Sequence, residues 1–383
     1  MSRTTSESDF DIAIGGAGPV GLMLAALLVA RGVAPSRIAL IEGRSLDKAR
    51  QDPRSIALSW GSRQILEQVG AWPVAATAIR EIHVSRRGHF GRTFITSDEY
   101  GLPALGYVAR YGDLLGALDA CVSKSGVQIF RPVHIVATNE SSESVWLNLS
   151  NQQALTASVM VQAEGGVYGE QAAKSLQRDY DQVAVVAHVK CSALLPTRAF
   201  ERFTDEGPLA LLPQDDGYSL VWCTRPTTAQ HLLQVDEQVF LAELQRAFGM
   251  RVGRFISVSV RQSFPLGLNA RPAGSPRTVA IGNAAQTLHP VAGQGLNLGL
   301  RDATVLARLL AVEASPDALV KFAQAREADR TTTIRVTDTM ARIFASAPDG
   351  ALSQTLLGAS LGMLDLVAPA RHLLAEHMMF GRR

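Results

Sequence analysis

Two apolar rhythms run along the chain, short unbroken runs and alternating stretches. Phe10 to Gly15 (FDIAIG) is a short apolar run entering a glycine cluster, and Pro19 to Arg31 then carries good helix formers until Gly32 closes the segment. Arg37 to Glu42 (RIALIE) is a second run of buried-strand type. Strand, glycine turn, helix and strand in that order predict a βαβ unit. Val159 to Ala163 predicts a third buried strand leading into Glu164-Gly165-Gly166, and Thr278 to Gly282 (TVAIG) another that ends in glycine.

Between these runs, Ser62 to Val69 predicts a short helix, Ile82 to Thr96 an exposed hairpin, and Leu114 to Lys124 a helix stopped by Gly126. Val127 to Ala137 and Val145 to Leu149 alternate as strands. From Asp181 to Cys223 the pattern is strands (VAVVAHVKC, LALLP, YSLVWC) cut by Pro, Gly and Asp turns, which predicts one mostly antiparallel sheet. Asp236 to Phe248 predicts an amphipathic helix, Phe255 to Phe264 a strand, and Leu296 to Val312 and most of Asp317 to Phe344 helices. The nucleotide-type strands stop at the sheet region and resume after it. The expected fold is therefore α/β, with a Rossmann-like nucleotide-binding domain (1–76, 100–177 and 272–345) interleaved with a mostly antiparallel β-sheet domain (77–99 and 178–271). A C-terminal helical segment, 346–383, follows. In it, Leu356, Leu357, Leu361, Leu364, Val367 and Ala368 fall at helical spacing, and after Pro369 the set Ala370, Leu373, Leu374, His377 and Met378 repeats it. These two helices either pack on the core, or the second, with Arg371, Met379, Phe380, Arg382 and Arg383, rests on a bilayer or a partner protein.

Composition narrows the classes. The 383 residues are 47% hydrophobic and 19% charged, which excludes disorder, collagen and coiled coil. With 37 Lys plus Arg against 35 Asp plus Glu there is no broad basic field for a phosphate backbone, so no nucleic-acid partner is expected. Cys121, Cys191 and Cys223 are far apart and have no metal spacing, which points to a reducing, cytoplasmic setting. The polar first residues carry no export signal, and the longest strongly apolar stretch, Pro19 to Ala30, is too short to span a bilayer.

The first chemical site is Gly16-Ala17-Gly18-Pro19-Val20-Gly21, a GxGxxG between strand and helix. Its glycines permit the tight turn and let the backbone approach a pyrophosphate, and the helix N-terminus supplies N–H donors. Glu42, ending the second strand, is placed for a ribose hydroxyl. The motif serves FAD and NAD alike. The second site is AIGNAAQTLHPVAGQGLNLGLRDA (280–303), where Gly282-Asn283 ends a strand and Gly293, Gly295 and Gly299 surround a helix start. So many small residues imply close backbone approach by a flat or anionic ligand, or a helix packed tightly on the sheet. His289 lies inside this segment and reads as structural more readily than as an acid or base.

Together, GGAGPVG and IGNAAQTLHPVAGQGLNLGLRDA resemble the single-component FAD-dependent aromatic hydroxylases, and within them the ubiquinone-biosynthesis hydroxylases. AFERFTDEGPLALLP, SLVWC, RQSFPL and LGMLDLVAPARHLLAE are most similar to the 2-polyprenyl-6-methoxyphenol hydroxylase (UbiH-type) branch, and the similarity runs over essentially the whole chain. The resemblance implies that Gly16, Gly18 and Gly21 hold the FAD pyrophosphate and Glu42 the adenosine ribose. It places Arg54 (in DPRSIALS) and Arg110 (in YVAR) near the pyrophosphate, and Gly282-Asn283, usually Gly-Asp, at the ribityl and phosphate region. Pro290, Gly293, Gln294, Gly295, Leu296 and Asn297 match the loop beside the isoalloxazine, whose N–H groups would stabilise negative charge on the reduced ring. One departure is that the family's Asp-Gly after the third strand reads Glu164-Gly165 here, and its Asn-Ser-x-x-Arg continuation is absent from GGVYGEQ.

The implied activity is an FAD monooxygenase that uses NAD(P)H and O2 to hydroxylate a polyprenyl phenol, with no side-chain acid or base. Phe264 and Pro265 resemble the family segment facing the substrate, and the strand carrying Trp222 offers apolar wall. The implied setting is the cytoplasm, peripheral on the inner face of the membrane or in a biosynthetic complex. Rival readings are a hydroxylase of another ring position or aromatic, a non-catalytic flavin scaffold, and an NAD-dependent dehydrogenase that has no use for the second glycine segment.

Overall fold

The computed structural model describes residues 8–87, 92–164, 177–270, 274–289, 293–345 and 375–381. The chain opens with β1 (Phe10–Gly15), α1 (Pro19–Ala30) and β2 (Ile38–Ile41). Then come α2 (Leu46–Arg50), β3 (Ser55–Ser59), α3 (Trp60–Gln68), β4 (Ala76–Ile79), β5 (Glu81–Arg86), β6 (Arg92–Thr96) and β7 (Gly106–Arg110). Next are α4 (Tyr111–Ser125), β8 (Gln128–Phe130), β9 (Ile135–Glu140), β10 (Val145–Leu149) and β11 (Ala154–Gln162). The central part holds β12 (Gln177–Cys191), β13 (Arg198–Phe203), β14 (Pro208–Gln214), β15 (Gly217–Thr224), α5 (Pro226–Gln234), α6 (Glu237–Phe248), β16 (Phe255–Val258) and β17 (Gln262–Ala270). The chain continues through β18 (Thr278–Ala280), β19 (Gln286–Thr287), α7 (Gln294–Leu310) and α8 (Pro316–Ala345), and residues 375–380 form a last helical stretch.

Three sheets result. The first runs β8-β2-β1-β11-β10-β9, with β18 also beside β11. Its β1, β2, β8, β11 and β18 pair in parallel, as runs buried on both faces require, and β9 and β10 add an antiparallel edge. α1 is apolar all round, because it lies between the sheet and α4 and α7 with Leu22 to Leu28 all buried. The second sheet runs β19-β17-β12-β15-β14-β13-β5-β6 and is antiparallel except where β13 meets β5. One face is sealed by α5 and α6, through a core that includes Val185, Leu209, Leu220, Phe240 and Phe248. The third sheet, β3-β7-β4, is small and wedges beneath β14.

The stretch expected as one strand from Phe255 to Phe264 is two. Both β16 and β17 pair with β12, but the register runs from Val189↔Val258 to Val186↔Gln262, three steps on one strand against four on the other. The extra residue breaks the ladder as a bulge. Beside α7, the α8 helix carries a buried ion network. Arg326 Nε donates to Asp302 Oδ1 (2.7 Å), Arg326 Nη2 lies 2.6 Å from Asp329 Oδ2, and Arg301 Nε donates to Asp329 at 2.9 Å. All four side chains are at most a tenth exposed.

The end of the chain packs against the body. Ala375 and Met379 are buried in a cluster with Leu105, Met378 O accepts from Gln294 Nε2 (3.3 Å), and a Cβ on Gly61 would sit 2.7 Å from Met379 O. In this helix Ala375 and Met379 are used internally, while Ala370, Leu373 and Leu374 of the predicted apolar set lie outside the described residues. The first predicted tail helix, Arg371, Arg382 and Arg383 lie outside the described residues. Among the described residues no helix is long and apolar enough to cross a membrane.

Candidate active site

The first glycine motif folds as a cradle. Gly16 sits at φ +102°, where a Cβ would lie 2.7 Å from Glu164 N, and a Cβ on Gly21 would lie 1.9 Å from Gly16 O. These two glycines let α1 start directly against the end of β1. Gly18 differs, because a Cβ there meets only the Tyr111 hydroxyl, at 3.6 Å. The N-terminus of α1 has Pro19 in its first turn, no side-chain cap and no acidic residue, so its N–H groups and partial positive charge are free to meet an anion. Glu42 is 8% exposed, and its carboxylate accepts Ala17 N–H (2.9 Å) and Arg44 N–H (2.9 Å), which fixes it beside the loop. The Glu164 carboxyl is raised above its ordinary range, first by burial and then by the charge of Glu42, with His134 pulling the other way.

Arg54 is held as a fork on Asp52 (Nε–Oδ1 2.9 Å, Nη2–Oδ2 2.6 Å) and lies over the rings of Tyr111 (5.2 Å) and Phe264 (5.6 Å). It therefore spans from the mouth of the cradle to β17. Arg110 is placed otherwise: it is more than half exposed and pairs with Asp215 at 2.5 Å, joining β7 to the β14–β15 turn. Tyr111, whose phenol is raised first by burial and lowered in part by Arg44, was not signalled by any motif.

The second glycine segment brings another bare helix start to the same place. Gly282, at φ +59°, and Gly299 both press on Val20, so α7 and α1 approach closely. Asn283 is exposed, and a Cβ on Gly295 would be 3.9 Å from its Oδ1. Gly293 caps α7 at φ +60° against Ala57, with no side-chain cap and no acid in the first turn. Asn297 is used up structurally: Oδ1 accepts from Ser59 N–H (2.9 Å) and Ser62 Oγ (2.7 Å), and Nδ2 donates to Ala57 O (3.0 Å) and Gly293 O (2.8 Å). It holds the loop to β3 and has no spare group to offer. Leu296 packs in the main core, Gln294 ties to the chain end, and Pro290 lies outside the described residues. His289 is buried on Gln182 Oε1 (2.9 Å), and burial lowers it to about 4, so the ring is neutral.

The second sheet turns its unsealed face toward this loop. Gln182, Leu212 and Gln214 share that face; they meet His289, the Ile79–Val108 cluster and Ser55 Oγ (2.8 Å) respectively. Between those contacts runs a row of paired residues, Val84, Glu201, Ala210, Val221 and Val186, each keeping some accessible surface. Phe264 and the exposed Pro265 lie on β17 at the edge of this region. Trp222 points the other way, buried 6.2 Å from Phe240 under α6, and is not a wall of this recess. Alternation along YSLVWC gives the strand but not which of its faces is sealed.

Residues 9–336 match the FAD binding domain family. The chain is 30% identical over 390 residues to ubiquinone hydroxylase UbiL of Rhodospirillum rubrum, a match covering 96% of this chain and 89% of that one. It belongs to the FAD-dependent hydroxylases of ubiquinone biosynthesis. Another such relative is 3-demethoxyubiquinol 3-hydroxylase of Escherichia coli, 29% identical with 78% of this chain and 79% of that one covered. Among solved structures, p-nitrophenol 4-monooxygenase of Pseudomonas putida superposes with a TM-score of 0.76, covering 98% and 100% of the two chains, at 16% identity; this likeness concerns the fold. As an FAD-dependent monooxygenase, the hydroxylase has a cradle that suits its cofactor. Gly18 leaves room where a pyrophosphate needs it, the start of α1 lacks a cap, and Glu42 is fixed beside both.

Proposed function

We propose that this hydroxylase converts a 2-polyprenyl-6-methoxyphenol to the corresponding 2-polyprenyl-6-methoxy-1,4-benzoquinol, using NAD(P)H and O2. The observation that carries this reading is the mostly apolar, part-accessible row Val84, Ala210, Val221 and Val186, on the sheet face from which Gln182 meets His289 of the loop before α7. Bound FAD, once reduced, supplies the activated oxygen that a ring carbon accepts. The protein's own residues do the rest. The start of α1 and Gly18 bind the pyrophosphate, Glu42 binds the ribose, and the bare start of α7 at Gly293 to Gly295 stabilises negative charge on the ring edge. The sealed back of the sheet and the apolar row keep water from the reacting carbon and orient the phenol. In this reading 1–76, 100–177 and 272–345 hold the flavin, while 77–99 and 178–271 cover the substrate.

A second reading is hydroxylation at another position of the same ring, favoured by 29% identity to a relative named 3-demethoxyubiquinol 3-hydroxylase. The test is to incubate purified holoenzyme with a short-tailed 2-prenyl-6-methoxyphenol, NAD(P)H and O2, and to analyse the product by mass spectrometry and NMR. Quinol formed in step with NAD(P)H consumed is expected. NAD(P)H oxidation that yields only hydrogen peroxide would overturn the proposal, and oxygen at a different carbon would select the second reading.

A further inference from the structure

Glu201 stands out in the accessible row. It is the one ionisable side chain in it, between Val84 on β5 and Ala210 on β14, and directly opposite both in the register. Among the described residues no hydrogen-bond or ion-pair partner meets its carboxyl. The residue is half-buried and its carboxyl is not among the buried polar atoms that lack a partner, so the group keeps accessible surface with which to meet a ligand lying on the row. Its neighbours on the row are aliphatic, and the position facing it diagonally on β15 is Cys223, whose thiol is pushed well up by burial and then by Glu201 itself.

The direction in which it points is settled by residues of the same face. Ala199, two positions earlier on β13, packs with Ile79 and Val108 of the small sheet, and Leu212, two positions beyond Ala210 on β14, joins them. Gln182 on β12 reaches His289 in the loop that precedes α7. The opposite face, with Phe200, Leu209 and Leu220, is the one sealed by α5 and α6. Glu201 therefore looks into the recess where the proposed phenol would lie, with apolar walls on either side for its tail.

We propose that Glu201 is the catalytic residue that accepts the hydrogen bond and then the proton of the substrate's ring hydroxyl. This rests on the phenol hydroxylase reading above. The carboxylate takes the O–H proton, so the O–H bond breaks and its electron pair moves into the ring as the ring carbon forms its new bond to one atom of the activated O2; the O–O bond breaks, and the other oxygen atom leaves as water. The oxidant is O2, with NAD(P)H as the reductant. When the ring carbon then loses its own C–H proton to water and aromaticity returns, the carboxylic acid gives its proton back to the ring oxygen. Glu201 is regenerated and the net reaction is unchanged.

The acidity of the group matches this use. Burial pushes Glu201 up to about 7, so near neutral pH the carboxylate is a far better base than an exposed glutamate while still being substantially ionised. Of the ionisable groups on this face, Cys223 from β15 feels its charge and Arg86 of β5 lies two positions beyond Val84, while His289 meets the face at Gln182 and β14 presents Ala210, Leu212 and Gln214. His289 is lowered to about 4 and the Cys223 thiol is raised, so neither changes charge between pH 6 and 8. A single ascending limb near neutrality is expected.

The test uses FAD-loaded wild type, E201Q and E201D with a short-tailed 2-prenyl-6-methoxyphenol. Probe binding is followed by protein fluorescence, and hydroxylated product by single-turnover mass spectrometry from pH 5.5 to 9. The amide of E201Q still accepts a hydrogen bond but cannot take a proton. It should bind the probe within about threefold of wild type, hydroxylate about 10² to 10⁴ times more slowly, and lose the limb. Hydroxylation by E201Q within threefold of wild type, with the limb kept, overturns the assignment. A wild-type enzyme that binds the probe but makes no hydroxylated product overturns the functional reading and this inference together. If E201Q does not hold FAD, E201D decides: product formation within about tenfold of wild type with the limb kept supports the role, and a flavin-loaded E201D that makes no product removes it.

Discussion

Two glycines of one motif should fail in opposite ways when given side chains. At Gly21 a Cβ would sit 1.9 Å from Gly16 O, against 3.4 Å for an ordinary contact, so Gly21→Ala must open the β1–α1 junction by about 1.5 Å. That movement shifts a helix with nine of its twelve residues buried, between a sheet and two other helices. Overpacking of this kind costs about 1 to 3 kcal/mol, and a helix locked on several sides belongs at the upper end. At roughly 2 to 4 °C per kcal/mol, the melting temperature of flavin-free protein should fall by several degrees. Gly18 has φ −72° and ψ 178°, extended backbone open to any residue, and its nearest neighbour is 3.6 Å away. Gly18→Val should therefore melt with wild type, within about 0.5 kcal/mol, yet emerge from gel filtration without FAD because its methyl groups take the place of the pyrophosphate. The assay is paired: thermal unfolding of stripped protein, and visible absorbance after reconstitution. Stoichiometric FAD in Gly18→Val would put the pyrophosphate elsewhere, and an unshifted melt for Gly21→Ala would show that the junction gives way freely.

Asp302→Ala leaves Arg326 short of one buried anion and should destabilise by about 3 to 5 kcal/mol in denaturant titrations, while Asp302→Asn, which keeps the acceptor for Arg326, should cost less. His289 has a folded-state value near 4 against 6.5 unfolded, so the unfolded chain binds its proton first on acidification; stability present above pH 6.5 is lost as pH falls toward 4. His289→Gln should flatten that part of the stability curve, leaving the share of His83, which is lowered in the same direction by burial and then by Arg251, and should keep at least a tenth of hydroxylation. A chain ending at Ala368 removes the contacts of Met378, Met379 and Gly381. It should lose FAD or aggregate; a soluble, fully flavinated truncation with normal turnover would show these contacts to be dispensable.

What could be read from sequence followed from short-range spacing. FDIAIG, the glycine turn and RIALIE lie within one βαβ unit, so periodicity and the position of Glu42 suffice to place a nucleotide cradle. The sheet β3-β7-β4 could not be read, because SIALS and GYVAR are short, part-exposed and paired across about fifty residues of chain. Tyr111 carries no motif, and Asp52 stands in DPRSIALS with no role of its own to read there; they matter because Arg54 stands between them. Trp222 and Glu201 show the limit best. Period-two alternation assigns them to opposite faces, but only the positions of α5 and α6 decide which face is core and which looks toward the loop.

The hydrogen bond from Gln294 to Met378 O joins residues 84 positions apart. During synthesis the cradle at Gly16 to Gly21 leaves the ribosome first, before the loop it works with, and that loop gains this hydrogen bond only after a further 84 residues have followed it. A polypeptide released before Met378 would carry both glycine motifs intact and still lack this clasp on the second.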